Sequence, residues 1–235
     1  MTLIMKNNII LLLLLLLCIN HANSQNLYAE YGVIIYPEKE IVDKDATLRS
    51  YYLNAIENAK HLRLGLICKE DSSKFFNVSD LSDLQSRKGT DLLFAGYSGI
   101  VYDVKTELLS QSSLLGENIY VKKELVNDWT LVNEEKEING YICYKATTLF
   151  VIEYGEKIFK HPVTAWFCPK IPYNFGPNGY SNLPGLILEL QVRNVVYGVK
   201  IIELDTDKTF TIAKDDLKIL SEEEFEKALD KFNDF

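Results

Sequence analysis

Histidine is nearly missing from this chain: three in 235 residues, with only His61 and His161 beyond residue 24. The sequence also holds no Gly-x-Ser-x-Gly, His-Glu-x-x-His or Cys-x-x-Cys. It therefore lacks the short motifs that mark an esterase-type nucleophile, a zinc protease or a thiol redox pair. His161 and Cys168 can be written as a nucleophilic pair, but seven residues along a strand put them on opposite faces. His61, Cys68 and either Cys143 or Cys168 show no metal-ligand spacing. No catalytic residue, cofactor or metal site is assigned from the sequence. Basic residues are outnumbered, 25 Lys and Arg against 33 Asp and Glu, for a net charge of −8. That balance argues against nucleic acid, whose phosphates need a basic groove, and against charge-driven binding to anionic lipid.

Long apolar runs are confined to the N-terminus. Lys6 precedes an unbroken stretch from Ile9 to Leu17, including seven consecutive leucines, followed by the polar residues 20–25. A cationic start, a short apolar core and a small-residue exit are the parts of a secretory signal peptide. The core is shorter than the roughly 20 residues a bilayer span requires. Ala22 and Ser24 place the cut before Gln25, leaving 1–24 as leader and 25–235 as a single domain without a transmembrane span. Cys18 offers lipidation as an alternative, which the bulky Leu17 before it disfavours. The expected location is periplasmic or secreted. Three cysteines then remain, Cys68, Cys143 and Cys168, and an odd number cannot form a complete disulfide framework.

The rest of the chain reads as mainly β. Tyr28 to Tyr36 is strand-like. Asp45 to Asn58 is helical, with Leu48, Tyr52, Ala55 and Ile56 near helical spacing. Arg63 to Lys69 and Ser73 to Val78 pair across Glu70-Asp71, whereas residues 79–116 give no clear pattern. Asn118 to Lys122 and Trp129 to Asn133 follow as strands, and the run Glu134-Glu135-Lys136-Glu137 reads as a solvated turn. Tyr141 to Ile152 and Phe159 to Cys168 form the clearest hairpin, because Tyr154-Gly155-Glu156-Lys157 puts glycine first in a two-residue turn. That register pairs Tyr154 with Lys157, Ala146 with Ala165 and Cys143 with Cys168. The cysteines fall on a non-hydrogen-bonded pair, where side chains approach closest. A Cys143–Cys168 disulfide and two buried free thiols are both consistent with this. Leu186 to Val192 and Val195 to Ile201 form two more strands. A last helix opens on the capping box Ser221/Glu224 and carries the stripe Phe225, Ala228, Leu229 and Phe232. The expectation is one antiparallel, strongly curved sheet or open half-barrel, with one internal helix and one C-terminal helix.

Three of the six prolines lie in Ile171 to Leu190, as Ile171-Pro172, Gly176-Pro177 and Leu183-Pro184-Gly185-Leu186-Ile187. Asn178-Gly179 is a further turn dipeptide, and Pro184-Gly185 suits the centre of a type II turn. The segment resembles the signature of the GLPGLI family, exported proteins of Bacteroidota-type bacteria. Upstream, Trp129, the run Ile138 to Cys143, Lys145-Ala146 and Ala165-Trp166-Phe167 occur in the family's order. Asn182 replaces the motif's first glycine, and asparagine is the next residue to tolerate positive φ. The resemblance implies no chemistry. It suggests an envelope role, through gene neighbourhood with outer-membrane TonB-dependent receptors. The strand order is also similar to the open half-barrels of periplasmic lipoprotein carriers, a likeness of fold alone.

Three functions follow as expectations. The first is a periplasmic binding or carrier module for a lipid, another apolar ligand or a partner segment. The second is an accessory partner of an outer-membrane receptor, and the third a hydrolase with a dispersed site. Trp166, Tyr173, Phe175 and Tyr180 are the candidate ligand contacts, although the segment's composition is explained by turn-making alone, as an elbow between Cys168 and Leu186.

Overall fold

The computed structural model describes residues 26–43, 46–78, 90–104, 106–114, 117–126, 128–155, 157–212 and 217–233. The leader and Cys18 lie outside them. Twelve strands form one sheet that does not close: β1 (Asn26–Ile35), β2 (Arg63–Cys68), β3 (Ser72–Asn77), β4 (Val101–Val104), β5 (Glu107–Leu114), β6 (Glu117–Lys123), β7 (Thr130–Ile138), β8 (Tyr141–Tyr154), β9 (Lys157–Cys168), β10 (Leu186–Val192), β11 (Val195–Thr206) and β12 (Lys218–Ser221). Their order is β12-β6-β5-β4-β3-β2-β1-β11-β10-β9-β8-β7. The described helices are α1 (Lys39–Val42), α2 (Ala46–Ala59), α3 (Thr90–Phe94) and α4 (Glu222–Asn233).

Two expectations are corrected. The sheet is mixed, because β12 runs parallel to β6 while every other pair is antiparallel. After β11 the chain crosses the sheet to its far edge and arrives in the direction of β6. Among the described residues there are also four α-helices rather than two. The short α1 and α3 carry too few residues to show a helical period in the sequence.

The hairpin register holds without interruption from Tyr154–Lys157 to Tyr144–Phe167, with Leu149 opposite Pro162. The charged run 134–137 is not a turn. It lies in β7, after a bulge between Val132 and Glu135, and Lys136 and Glu134 pair with Glu189 and Lys145. β7 is an edge strand, where charge blocks further strand addition.

One buried cluster covers the inner face from β1 to β5 and from β8 to β11, with Tyr52 and Ala59 of α2 laid on it. A second patch, Tyr28, Ile67, Tyr102, Leu109 and Tyr120, is closed by Phe210 of the crossover. Lys69 reaches across to the Phe210 carbonyl at 2.5 Å and sits 4.6 Å over its ring. Beyond Thr147 in β8 and Val163 in β9, the hairpin has no further sheet neighbour. Residues 148–162 thus project as a two-stranded blade.

Candidate functional site

The chain between β9 and β10 is a wedge, not an elbow. Ile171, Phe175 and Leu183 are all below 5% exposed. The segment folds on itself: Asn182 N–H donates to Asn174 O, Ile187 N–H to Phe175 O and Leu186 N–H to Ile171 O, at 2.9–3.0 Å. Trp129 Nε1 holds Ser181 O at 2.8 Å, Tyr31 Oη holds Ile187 O at 2.7 Å, and Asn182 Nδ2 holds Val126 O at 3.1 Å. These bonds satisfy backbone groups that burial would otherwise strand. Asn182 has φ +67, as its replacement of glycine requires. Gly179 has φ +81, and a Cβ there would stand 2.6 Å from Leu108 Cδ1. Glycine is therefore needed for close packing against β5 as well as for the turn. The type II turn at Pro184-Gly185 is not formed. Gly185 N–H turns back to Leu183 O at 2.7 Å, and Leu186 N–H goes to Ile171 O instead of closing the four-residue turn.

At one end of the wedge lie two adjoining cavities of about 320 and 410 Å³, which share Gly96, Phe150, Asn178 and Tyr180. Ile41, Leu93, Phe94, Val192 and Val195 line the first; Val101, Leu108 and Val126 line the second. Polar groups stand around them. Arg193 meets Glu38 at 3.2 Å, and Tyr52 Oη accepts from Glu38 N–H and Asn194 Nδ2 at 2.9 and 3.0 Å. Burial pushes the Tyr180 hydroxyl up to about 12 and that of Tyr52 up as well. Both stay protonated hydrogen-bond donors at neutral pH. The first cavity is mostly apolar with a few fixed polar groups, the usual composition of a small-molecule site, whereas the second is mixed, with Lys123, Glu124 and Glu222 at its wall.

At the other end is a smaller pocket of about 230 Å³ lined by Glu70, Asp71, Asp103, Asn174, Phe175 and Asn182. Cys68 of β2 lies opposite Ser73 of β3, which lies opposite Asp103 of β4, so these three side chains share one face. Burial pushes the Asp103 carboxyl up to about 6, an effect eased by the neighbouring Ser181 hydroxyl. Among the described residues, Asp103 Oδ2 has no hydrogen-bond partner, and Ser181 Oγ makes no well-formed bond. Burial drives the Cys68 thiol well up, and Asp103 adds to this. A thiol held protonated is a poor nucleophile.

The ligand candidates named from sequence separate. Tyr180 lines both halves of the apolar cleft, and Phe175 lines the acidic pocket. Tyr173 is half-buried against the main core. Trp166 lies on the other face of β9, with Lys136 and Lys145 at 4.4 and 5.8 Å from its ring. Cys143 and Cys168 are buried free thiols beside each other, and burial, then Cys168, pushes the Cys143 thiol up to about 12. Among the described residues, no three His, Cys, Asp or Glu side chains are placed to hold a metal ion. Sequence reading missed Phe150, Asn178, Arg193 and Asp103. Asp103 carried a faint signal as a lone carboxylate among Ile100, Val101, Tyr102 and Val104, within the stretch that showed no clear pattern.

Residues 155–189 match the model of a family described as a protein of unknown function (Porph_ging), the GLPGLI-type family. No curated protein matches the chain. Two solved structures of PNGF-II, in P21 and C2 space groups, are similar in fold, each with TM-score 0.52 at 11% identity over 88% of this chain. The match covers 33% of those chains, so this protein spans about a third of their length.

Proposed function

Taking the GLPGLI-type segment as premise, we propose that this protein is an exported, non-enzymatic binding module of the bacterial envelope that holds a single-chain amphiphile beside the wedge. The observation that carries this reading is the pair of adjoining cavities meeting at Phe150, Asn178 and Tyr180. The apolar lining suits an acyl chain, and the Arg193–Glu38 and Asn194 rim suits its polar head. The leader-like N-terminus supports export.

The test is titration of the delipidated protein with palmitate, alongside native mass spectrometry of the protein as first purified. One bound equivalent is expected. Phe150 is 37% exposed, so Phe150→Ala leaves the core intact while removing a wall of the cleft. About tenfold weaker binding is expected, from the loss of roughly 1.5 kcal/mol of apolar contact. Purification with nothing bound, together with no saturable palmitate uptake, overturns the reading.

A second reading, docking to an outer-membrane receptor, is supported by the blade. Its Leu149, Val151 and Ile158, which share one face of the hairpin, are 45–60% exposed. Such a patch is characteristic of an interaction surface. The hydrolase reading finds little support, since burial drives the Cys68 and Cys143 thiols up, away from the nucleophilic thiolate, and neither described histidine meets a nucleophile.

Export would also expose Cys143 and Cys168 to oxidation. We expect air-oxidised protein to yield a Cys143–Cys168 linked peptide on non-reducing digestion, while Cys68 remains alkylatable after unfolding. Two alkylatable thiols at 143 and 168 would show that the pair stays reduced.

A further inference from the structure

We propose that the pocket at Asp103 binds a small organic cation, a primary ammonium or a guanidinium. This site is separate from the amphiphile cleft and extends the function beyond it. Asp103 is 3% exposed on a central part of the sheet and lines the pocket, and its Oδ2 has no partner among the described residues. A buried carboxylate is normally paired, because leaving it bare costs several kcal/mol.

Three carboxylates, two asparagine amides and one aromatic ring line the pocket. Glu70 and Asp71 add two carboxylates from the exposed β2–β3 turn, and Asn174 and Asn182 add side-chain amides, the Asn182 Nδ2 being held by Val126 O. Phe175 adds an aromatic ring, which attracts cations over its face. Among the described residues no lysine, arginine or histidine lines it. The neighbouring Lys69 is committed to the Phe210 carbonyl. The Ser181 hydroxyl stands beside Asp103 behind the pocket wall and favours its ionised form. A bare metal ion is disfavoured, because the three carboxylates do not converge on one point. About 230 Å³ exceeds the share of one water, about 30 Å³, and accommodates a cation of several non-hydrogen atoms. The Asp103 carboxylate would take the N–H donors at the pocket floor, with Glu70 and Asp71 at its mouth.

The test is calorimetric titration of the full mature protein at neutral pH with butylammonium, agmatine, calcium chloride and, as neutral control, butanol. Butylammonium or agmatine is expected to bind at one site, with no response to butanol. Asp103→Asn is expected to weaken binding at least about tenfold, the worth of one charge-assisted hydrogen bond. Glu70→Gln lies on the exposed turn, carries no folding risk and is expected to weaken binding severalfold. No heat from either amine at millimolar concentration overturns the proposal. So does undiminished binding in Asp103→Asn, an equal response to butanol, or saturable calcium binding where the amines give none. Palmitate uptake is read separately, so loss of either site leaves the other reading standing.

Discussion

Replacing Gly185 by alanine is expected to leave the protein unfolded or close to it. Gly185 has φ +147, and an added Cβ would lie 2.2 Å from Cys168 O, 2.5 Å from its carbonyl carbon and 2.8 Å from Pro169 N. All three atoms are backbone, so no side chain can swing aside. The alternative is to separate the end of β9 from the start of β10, where Cys168 pairs with Leu186. Leu186, Ile187 and Leu188 are all fully buried there. Overpacking costs about 1–3 kcal/mol and a disallowed backbone region about as much again. The sum, about 2–6 kcal/mol, is a large share of a typical stability of 5–15 kcal/mol and at its upper end exceeds the lowest of these. Gly155→Ala is the control. Its φ is +57 at the hairpin tip with nothing within 4 Å of the new Cβ, so it should cost only about 1 kcal/mol. Urea unfolding followed by circular dichroism decides the matter. A Gly185→Ala protein with wild-type midpoint would show that the wedge yields, and that the tight packing is not needed.

The motif's glycine could be read from the sequence as a turn-maker, but its real constraint is a neighbour seventeen residues away. That difference runs through the whole molecule. The β8–β9 register was legible because a two-residue turn fixes it locally and Pro162 does not break it. The helix expected over Asp45 to Asn58 appears as Ala46–Ala59, and Glu224 caps Ser221 N–H at 2.8 Å as the capping box requires. What could not be read depends on strands distant in sequence. The parallel entry of β12 follows from a crossover of the sheet. The turn at Pro177–Gly179 packs against β3, β4 and Leu108 of β5, all distant in sequence. Asp103, Cys68 and Ser181 come together through two strand pairings and a loop, with no spacing to announce them. The exposed charges of 134–137 suit a turn and an edge strand equally, and only the pairing with β8 separates the two.

Asp103→Asn is expected to stabilise the protein at neutral pH and to remove one limb of its pH dependence. The Asp103 carboxyl sits at about 6 in the fold against an ordinary 3.8. Between those values the folded state holds more protons than the unfolded one, so stability falls as pH rises through the window. Above it the full penalty applies, about 3 kcal/mol at 1.36 kcal/mol per unit. Below about pH 4 both states are protonated and the carboxyl costs little. Asparagine keeps the shape without the charge. The difference in unfolding free energy between variant and wild type should therefore be near zero at about pH 4 and grow to about 3 kcal/mol in the variant's favour above about pH 7. Taking the difference cancels groups such as Glu30, which Arg63 holds below the ordinary carboxylate range and which contributes the opposite slope. A difference that does not change with pH would mean that Asp103 titrates as a solvated carboxyl. A bound cation should act on the same limb, because a positive charge beside Asp103 favours its ionised form. Butylammonium is thus expected to lift wild-type stability at neutral pH toward that of Asp103→Asn, while the variant, binding more weakly, gains less.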